Sequence, residues 1–175
     1  GRIGDGRAVP PVTRALTDNY GVVRPAAAGA LGQMDSLSAV PALLKLLRQD
    51  ADPSVRLTAA WALGQLSSEQ SVSALTQSVQ DDKDDQVREM SAWALGEIGD
   101  KSAATVLAVG VSSDPSEKVR ETAAWALGEL GAESAAGVLG QAVANDKSMP
   151  VRATAAWALG QFDLSTAPKG LIDGL

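Results

Sequence analysis

The sequence predicts an all-α protein, a right-handed α-solenoid built from two-helix repeats. Three observations predict it: a 32-residue period, two helix-like segments in each period, and no convincing alternation of apolar and polar residues that would indicate a strand. A Val-Arg pair marks the period and begins at Val23, Val55, Val87, Val119 and Val151. Such self-similarity is typical of solenoids, in which each unit packs only on its neighbours.

The two segments of each repeat are separated by polar turns. The first segment, the A helix, is predicted at 7–17, 38–48, 70–80, 102–112, 134–144 and 166–175. The second, the B helix, is predicted at 21–34, 53–66, 85–98, 117–130 and 149–162. In the turns after B helices, glycines such as Gly99 suit the positive φ of a helix C-terminus. In the turns before B helices, prolines such as Pro53 suit a first helical turn.

Helical phase assigns a role to each position of the B helix. At about 100° per residue, Val55, Leu63 and Leu66 fall on one stripe, which predicts the core contact. The small Ala60 and Gly64 on the flank of that stripe allow a neighbouring helix to approach closely. Eight equivalent residues are therefore expected to be almost fully buried: Val55, Leu63, Val87, Leu95, Val119, Leu127, Val151 and Leu159.

Tryptophan recurs six residues after the repeated valine in every unit except the first, where Gly29 stands. The same phase places it opposite the core stripe, together with the residues four positions before and after it. The predicted partner-binding residues are Trp61, Trp93, Trp125, Trp157, Glu89, Glu97, Glu121, Glu129, Gln65 and Gln161. Three interpretations remain open: the indoles bind a partner, they pack on the neighbouring repeat, or they do both.

Carboxylates flank the tryptophans of the two central repeats. Their charge beside indole faces suits a cation, such as a basic peptide or a quaternary ammonium group, through Coulomb attraction and cation-π contact. The alternative is a solvated charged face on a soluble solenoid. Paired glutamates at helical repeat spacing, with no distinct cleft residues, do not indicate glycoside chemistry.

One aspartate stands six residues before each repeated arginine. The pairs are Asp18 and Arg24, Asp50 and Arg56, Asp82 and Arg88, Asp114 and Arg120, and Asp146 and Arg152. The matched numbers favour a structural staple, in which the arginine fork binds an aspartate of the same or the neighbouring repeat. The alternative is an anion site built from five arginines.

The composition excludes several classes of function. The chain has no Cys and no His, which removes thiol chemistry, the commonest general base and the usual zinc ligands. We expect no catalytic residues, no metal site and no cofactor. The net charge of −6 argues against binding to a phosphate backbone. No apolar run approaches the ~20 residues that span a bilayer, so we expect no membrane insertion of this segment.

The repeated units read VRLTAAWALGQL from Val55, VREMSAWALGEIG from Val87 and VRETAAWALGELG from Val119. They resemble the short HEAT-like repeats of the phycobilin-lyase type, whose units read roughly D-x-x-x-x-VRxxAAxALGxIGD. The resemblance covers nearly the whole chain. It implies that the B helices line an inner, concave surface and contact partners through their variable positions. Most such proteins are binding scaffolds, some assist chromophore attachment, and an iron-dependent hydroxylase branch uses His-Glu pairs that this chain lacks.

The sequence therefore favours a non-catalytic scaffold that binds a protein or peptide, such as a basic one, along the concave B-helix surface. Two alternatives remain open: a chromophore-lyase-like subunit that holds a tetrapyrrole, and an architectural spacer or oligomerisation arm of a larger bacterial protein. We expect residues 1–175 to form a single array of about five repeats with partial units at both ends, cut from a longer protein. The sequence specifies neither a compartment nor an oligomeric state.

Overall fold

The computed structural model describes residues 7–162, which form ten α-helices and no strand. The A helices are α1 (Val9–Ala15), α3 (Val40–Gln49), α5 (Val72–Asp81), α7 (Ala104–Ser113) and α9 (Ala136–Asn145). The B helices are α2 (Val23–Gln33), α4 (Pro53–Gln65), α6 (Asp85–Ile98), α8 (Glu117–Glu129) and α10 (Met149–Gly160). The predicted all-α solenoid is confirmed. The predicted A helix at 166–175 lies outside the described residues.

The turns between repeats follow the expected chemistry with one addition. Gly99 ends α6 in the left-handed region, and Gly131 takes the same conformation after α8. Asp35 and Ser67 adopt positive φ at the equivalent positions of the first two turns, so glycine is not obligatory there. A short 3-10 turn then precedes four of the A helices, which therefore begin about two residues later than predicted. These turns are Leu37–Ala39, Glu69–Ser71, Lys101–Ala103 and Glu133–Ala135.

Helices α4 and α6 begin at aspartate caps. The Asp52 carboxylate accepts the backbone N–H of Ser54, and the Asp84 carboxylate accepts those of Gln86 and Val87. These bonds satisfy N–H groups that have no partner inside the helix. Pro53, which has no N–H to satisfy, occupies the first turn of α4 as predicted.

The helices form two layers. Each A helix packs on the B helix that follows it, and the B helices lie side by side in chain order. Neighbouring A helices contact each other much less than neighbouring B helices do. They leave crevices such as those of about 650 Å³ between α3 and α5 and about 720 Å³ between α7 and α9. Closer approach on the B side indicates a curved stack with the B helices on its inner side.

The close approach of the B helices depends on glycine. A Cβ atom built on Gly64 of α4 would lie 2.9 Å from the Cβ of Ala94 and 3.0 Å from its Cα in α6. Gly128 of α8 faces Ala158 of α10 at 3.0 Å from both atoms in the same way. The expectation that Gly64 lies at a close helix contact is therefore confirmed.

Seven of the eight predicted core residues of the B helices have no exposed surface; they are Val55, Leu63, Val87, Leu95, Val119, Leu127 and Val151. The prediction is wrong for Leu159, which is only partly buried. Its helix, α10, is the last one described, and no further B helix packs on its outer side. Within residues 7–162, no helix is long and apolar enough to cross a membrane.

Replacing Leu95 by alanine tests the importance of this core. We expect Leu95→Ala to lower the free energy of unfolding by about 2–5 kcal/mol, because it removes buried methyl groups and leaves a cavity. Leu37→Ala is the matched control, since Leu37 is 63% exposed and its truncation is expected to cost less than about 0.5 kcal/mol. Urea unfolding followed by circular dichroism measures both values. Equal losses in the two variants would contradict the assignment.

Candidate functional site

The B helices present three parallel rows of side chains on the side opposite their core stripe. We call them the tryptophan row (Trp61, Trp93, Trp125 and Trp157), the N-terminal row (Leu57, Glu89, Glu121 and Ala153) and the C-terminal row (Gln65, Glu97, Glu129 and Gln161). Within one helix the three positions are four residues apart, and such residues lie above one another on the same face. The structure therefore brings all ten predicted binding residues onto one surface.

The tryptophans are both packed and exposed. Trp61, Trp93 and Trp125 are half-buried, whereas Trp157 is 41% exposed. A Cβ atom built on Gly96 would lie only 2.7 Å from Cζ3 of Trp125, so this indole lies over the glycine of the preceding B helix. Gly32, Gly64 and Gly128 are covered by the next tryptophan in the same manner. The indoles therefore pack on the neighbouring repeat, as one interpretation of the sequence predicted, and they also keep surface that is accessible to solvent.

Trp157 is more exposed than the other indoles for a simple reason. No B helix follows α10 among the described residues, so Trp157 is covered from one side only. At the other end of the row, Gly29 stands in α2 where the other B helices have tryptophan. The row of indoles therefore covers four consecutive B helices, α4 to α10.

The four carboxylates beside the central tryptophans differ in their surroundings. In the N-terminal row, Glu121 accepts a hydrogen bond from Nζ of Lys118 at 3.0 Å. Burial raises the pKa of Glu89 in the same row, although the nearby Lys118 opposes this effect. In the C-terminal row, Glu97 and Glu129 are exposed, and no ion pair or hydrogen bond to either carboxylate is found within residues 7–162.

Lys118 was not among the residues predicted for this surface. Its position three residues before Glu121 was the available signal, because residues at this spacing are neighbours on a helix surface. Gln65 and Gln161 are exposed at the two ends of the C-terminal row. The role of all these side chains in binding stays a prediction.

The aspartates and arginines form a repeated staple, as predicted. Nε and Nη2 of Arg88 donate to the two carboxylate oxygens of Asp114 in the next repeat, at 2.8 and 3.1 Å. Nη1 of Arg88 donates to the backbone carbonyl of Asp82 in its own repeat at 2.9 Å. Equivalent bonds join the pairs Arg24 and Asp50, Arg56 and Asp82, and Arg120 and Asp146. Each arginine therefore ties the A–B turns of two consecutive repeats together.

The staple leaves no anion site at these four arginines. In each guanidinium, Nε and Nη2 bind a carboxylate of the protein and Nη1 binds a backbone carbonyl. Arg152 donates to the carbonyl of Asp146. The Asp18 carboxylate accepts the N–H of Tyr20. The alternative interpretation of the arginines as an anion site is therefore wrong for the four complete staples.

The staple lowers the pKa of Asp50, Asp82 and Asp146. The bond from Arg120 is the largest cause for Asp146, whose pKa lies below its usual value. Burial alone would raise the pKa of Asp50 and Asp82. The guanidinium and backbone N–H donors around these two carboxylates outweigh burial and lower the pKa of both.

What this surface offers chemically is contact area, indole faces and negative charge. Within residues 7–162, no group of three or more His, Cys, Asp or Glu side chains is arranged to hold a metal ion. The exposed indoles suit apolar and cationic groups of a ligand, and the exposed carboxylates suit cations.

Comparison with known proteins agrees with this architecture. The sequence pattern of HEAT repeats matches residues 1–52, 40–113 and 108–175. The chain belongs to the HEAT-repeat family. No curated protein sequence is matched to this chain.

Two solved structures illustrate its relationships. A chain from the complex of CpcE and CpcF of phycocyanin lyase from Nostoc sp. PCC7120 is similar to this chain at 27% identity and a TM-score of 0.78. That match covers 94% of this chain and 67% of the other. Importin beta matches at 19% identity and a TM-score of 0.65, covering 92% of this chain and 24% of importin beta, and this likeness concerns the fold alone. The resemblance to phycobilin-lyase repeats is thus confirmed.

Replacing Gly96 by alanine tests the contact between indole and glycine. The new methyl group would lie 2.7 Å from Cζ3 of Trp125, so the indole or the helix must move. We expect Gly96→Ala to lower the free energy of unfolding by about 1–3 kcal/mol and to alter the tryptophan fluorescence. Gly140→Ala in α9 is the control, because open space surrounds its Cβ position and alanine favours a helix by up to about 1 kcal/mol. Equal stability of the two variants would refute the contact.

Acid unfolding tests the staple. The pKa of Asp82 is lower in the folded protein than its usual value near 3.8. Its charged form therefore stabilises the fold above that value, and this contribution is lost as pH falls through the folded pKa. We expect the free energy of unfolding to decrease below about pH 4, and Asp82→Asn to be less stable at pH 7 with a shallower decrease. Asp81→Asn, at an exposed neighbouring position, should behave like the wild type. A flat acid profile of the wild type would contradict the prediction.

Proposed function

We propose that this protein is a non-catalytic scaffold that binds a protein or peptide along the tryptophan row and its two flanking rows. The single observation that carries the proposal is the row itself, four indoles on consecutive B helices that keep exposed surface beside carboxylates. HEAT-repeat proteins form extended surfaces by stacking units, and the inner side of the curved stack is continuous across repeats. A partner that extends across several repeats can therefore contact one tryptophan in each repeat.

Exposed tryptophans in a row are favourable for binding. Tryptophan is enriched at protein interfaces, where its large ring buries much apolar surface and its N–H finds a partner. Trp61, Trp93 and Trp125 are half-buried and Trp157 is exposed, so each keeps indole surface that a partner can cover.

The packing of each indole on a glycine supports the proposal rather than opposing it. A side chain that is already held in place loses little conformational freedom when a partner binds. The glycine contacts of Trp93 and Trp125 therefore favour a preorganised row, whose indoles need not reorient when a partner binds.

Charge favours a partner with basic groups. The chain carries a net charge of −6, and four glutamates surround the two central indoles. Complementary charge speeds association and selects among partners more than it increases affinity. The same charge disfavours a phosphate backbone as the ligand.

A second candidate function rests on the likeness to a phycocyanin lyase subunit at 27% identity. By this proposal the B-helix surface holds a tetrapyrrole, whose flat ring system suits indole faces. Incubation with a bilin separates the two functions. A red or blue shift of the bilin absorbance that disappears in a Trp93→Ala, Trp125→Ala double variant would favour the second candidate, and an unchanged spectrum would favour the first.

Binding of a fluorescein-labelled lysine-rich peptide, followed by anisotropy, tests the first candidate. We expect the Trp93→Ala, Trp125→Ala variant to bind at least about tenfold more weakly, because buried aromatic anchors dominate the energy of interfaces. Affinity should also fall as salt rises. The control is Leu37→Ala, Val109→Ala, which removes exposed apolar side chains away from the B-helix surface. Equal affinity of the two double variants, with circular dichroism confirming that both are folded, would reject the tryptophan row as the site.

A further inference from the structure

The C-terminal ends of two neighbouring B helices, α6 and α8, each carry a glutamate. Glu97 lies in the last turn of α6, and Glu129 is the last residue of α8. The last turn of every B helix described, from α2 to α10, contains no basic residue. The carbonyl groups at a helix C-terminus already carry negative partial charge and favour cations nearby. In the C-terminal row, carboxylate and helix dipole therefore add to one another.

The N-terminal row differs, because it contains its own cation. Nζ of Lys118 donates to Glu121 at 3.0 Å, and Lys118 also interacts electrostatically with Glu89 on the neighbouring helix. Both glutamates are the fifth residue of their helix, beyond the first turn in which the positive end of the helix dipole acts. Lys118 therefore offsets the charge of this row.

We infer that a basic partner is selected by the C-terminal row, Glu97 and Glu129, and that Lys118 is an internal counter-ion that prevents the N-terminal row from competing. The inference rests on the proposed function and adds the side of the tryptophan row on which the cations of the partner lie. The outer positions of the C-terminal row are the neutral Gln65 and Gln161, so the charge is confined to α6 and α8.

The spacing of the helices specifies the shape of this partner. Packed helices lie about 8–10 Å apart, and α6 and α8 pack along their length. A polyproline II segment rises about 9 Å over three residues. Basic side chains at every third position of such a peptide therefore match Glu97 and Glu129 in turn, while proline rings between them contact the indoles. The partner that fits is an extended segment with Lys or Arg at every third residue.

The test compares two double variants with equal changes of charge. Glu97→Gln, Glu129→Gln removes the charge of the C-terminal row and introduces the residue that α4 and α10 already have there. Glu89→Gln, Glu121→Gln makes the same change in the N-terminal row. The probe is the fluorescein-labelled peptide Lys-Pro-Pro-Lys-Pro-Pro-Lys, and the readout is its anisotropy at low salt.

We expect the first variant to bind the probe roughly tenfold more weakly than the wild type and the second to lose less affinity than the first, since two exposed ion pairs with the probe are lost only in the first. Lys118→Gln should bind severalfold more tightly. A peptide of the same composition with its lysines adjacent, Lys-Lys-Lys-Pro-Pro-Pro-Pro, should bind more weakly than the probe.

Different failures point to different errors. Equal losses in the two double variants, or an unchanged affinity of Lys118→Gln, would overturn the assigned polarity while the proposed binding surface stands. Equal affinity for the two peptides would overturn the extended, three-residue spacing. If neither peptide binds the wild type at any salt concentration, the basic partner is wrong, and the inference falls with it.

Discussion

Neighbouring B helices meet backbone to backbone where a glycine of one helix faces an alanine of the next. With a side chain at Gly64 or Gly96, this distance would have to increase. The close contact bends the stack toward the B side, since the A helices keep more space between them. It also brings each indole over the glycine of the preceding helix, which fixes the ring and leaves part of it exposed. The candidate binding surface is therefore a product of the helix contact.

The arginine staple also fixes the position of each repeat relative to the next, at the turns where the B helices begin. Each guanidinium binds a carbonyl of its own repeat and a carboxylate of the next, so it fixes the distance and the rotation between two units. Charged groups that are buried in part are stable only when their hydrogen bonds are complete, and here the fork and the carboxylate satisfy each other. Glycine contact and staple together restrict how far a repeat can shift relative to its neighbour, which keeps the rows of the surface in register.

Much of this architecture could be predicted from the sequence because the repeat supplies five versions of the same pattern. Helical phase gave the core stripe correctly at Val87 and Leu95, and the pairing of one aspartate with each arginine gave the staple. Burial of Leu159 was predicted wrongly, because helical phase assumes a neighbouring B helix on both sides, and no B helix follows α10 within residues 7–162. The difference between Glu121 and Glu129 was also missed. Glu121 has a cation, Lys118, three residues before it in the same helix, whereas Glu129 is the last residue of that helix. A pattern of nearly identical units does not reveal this difference.

Because each staple joins residues 26 positions apart in a repeat of 32, the contacts of one unit contain no information about the number of units. Removal of residues 85–116 would join α5 to α8 and leave the pair of Arg56 and Asp82 intact. It would bring Arg120 opposite the backbone carbonyl of Asp82, where Arg88 lies now. The number of repeats is therefore not fixed by the contacts of this fold, and it can change when single units are duplicated or deleted in a gene. The tryptophan row would lengthen or shorten by one indole with each such event, so the span of the surface can evolve without any redesign of its contacts.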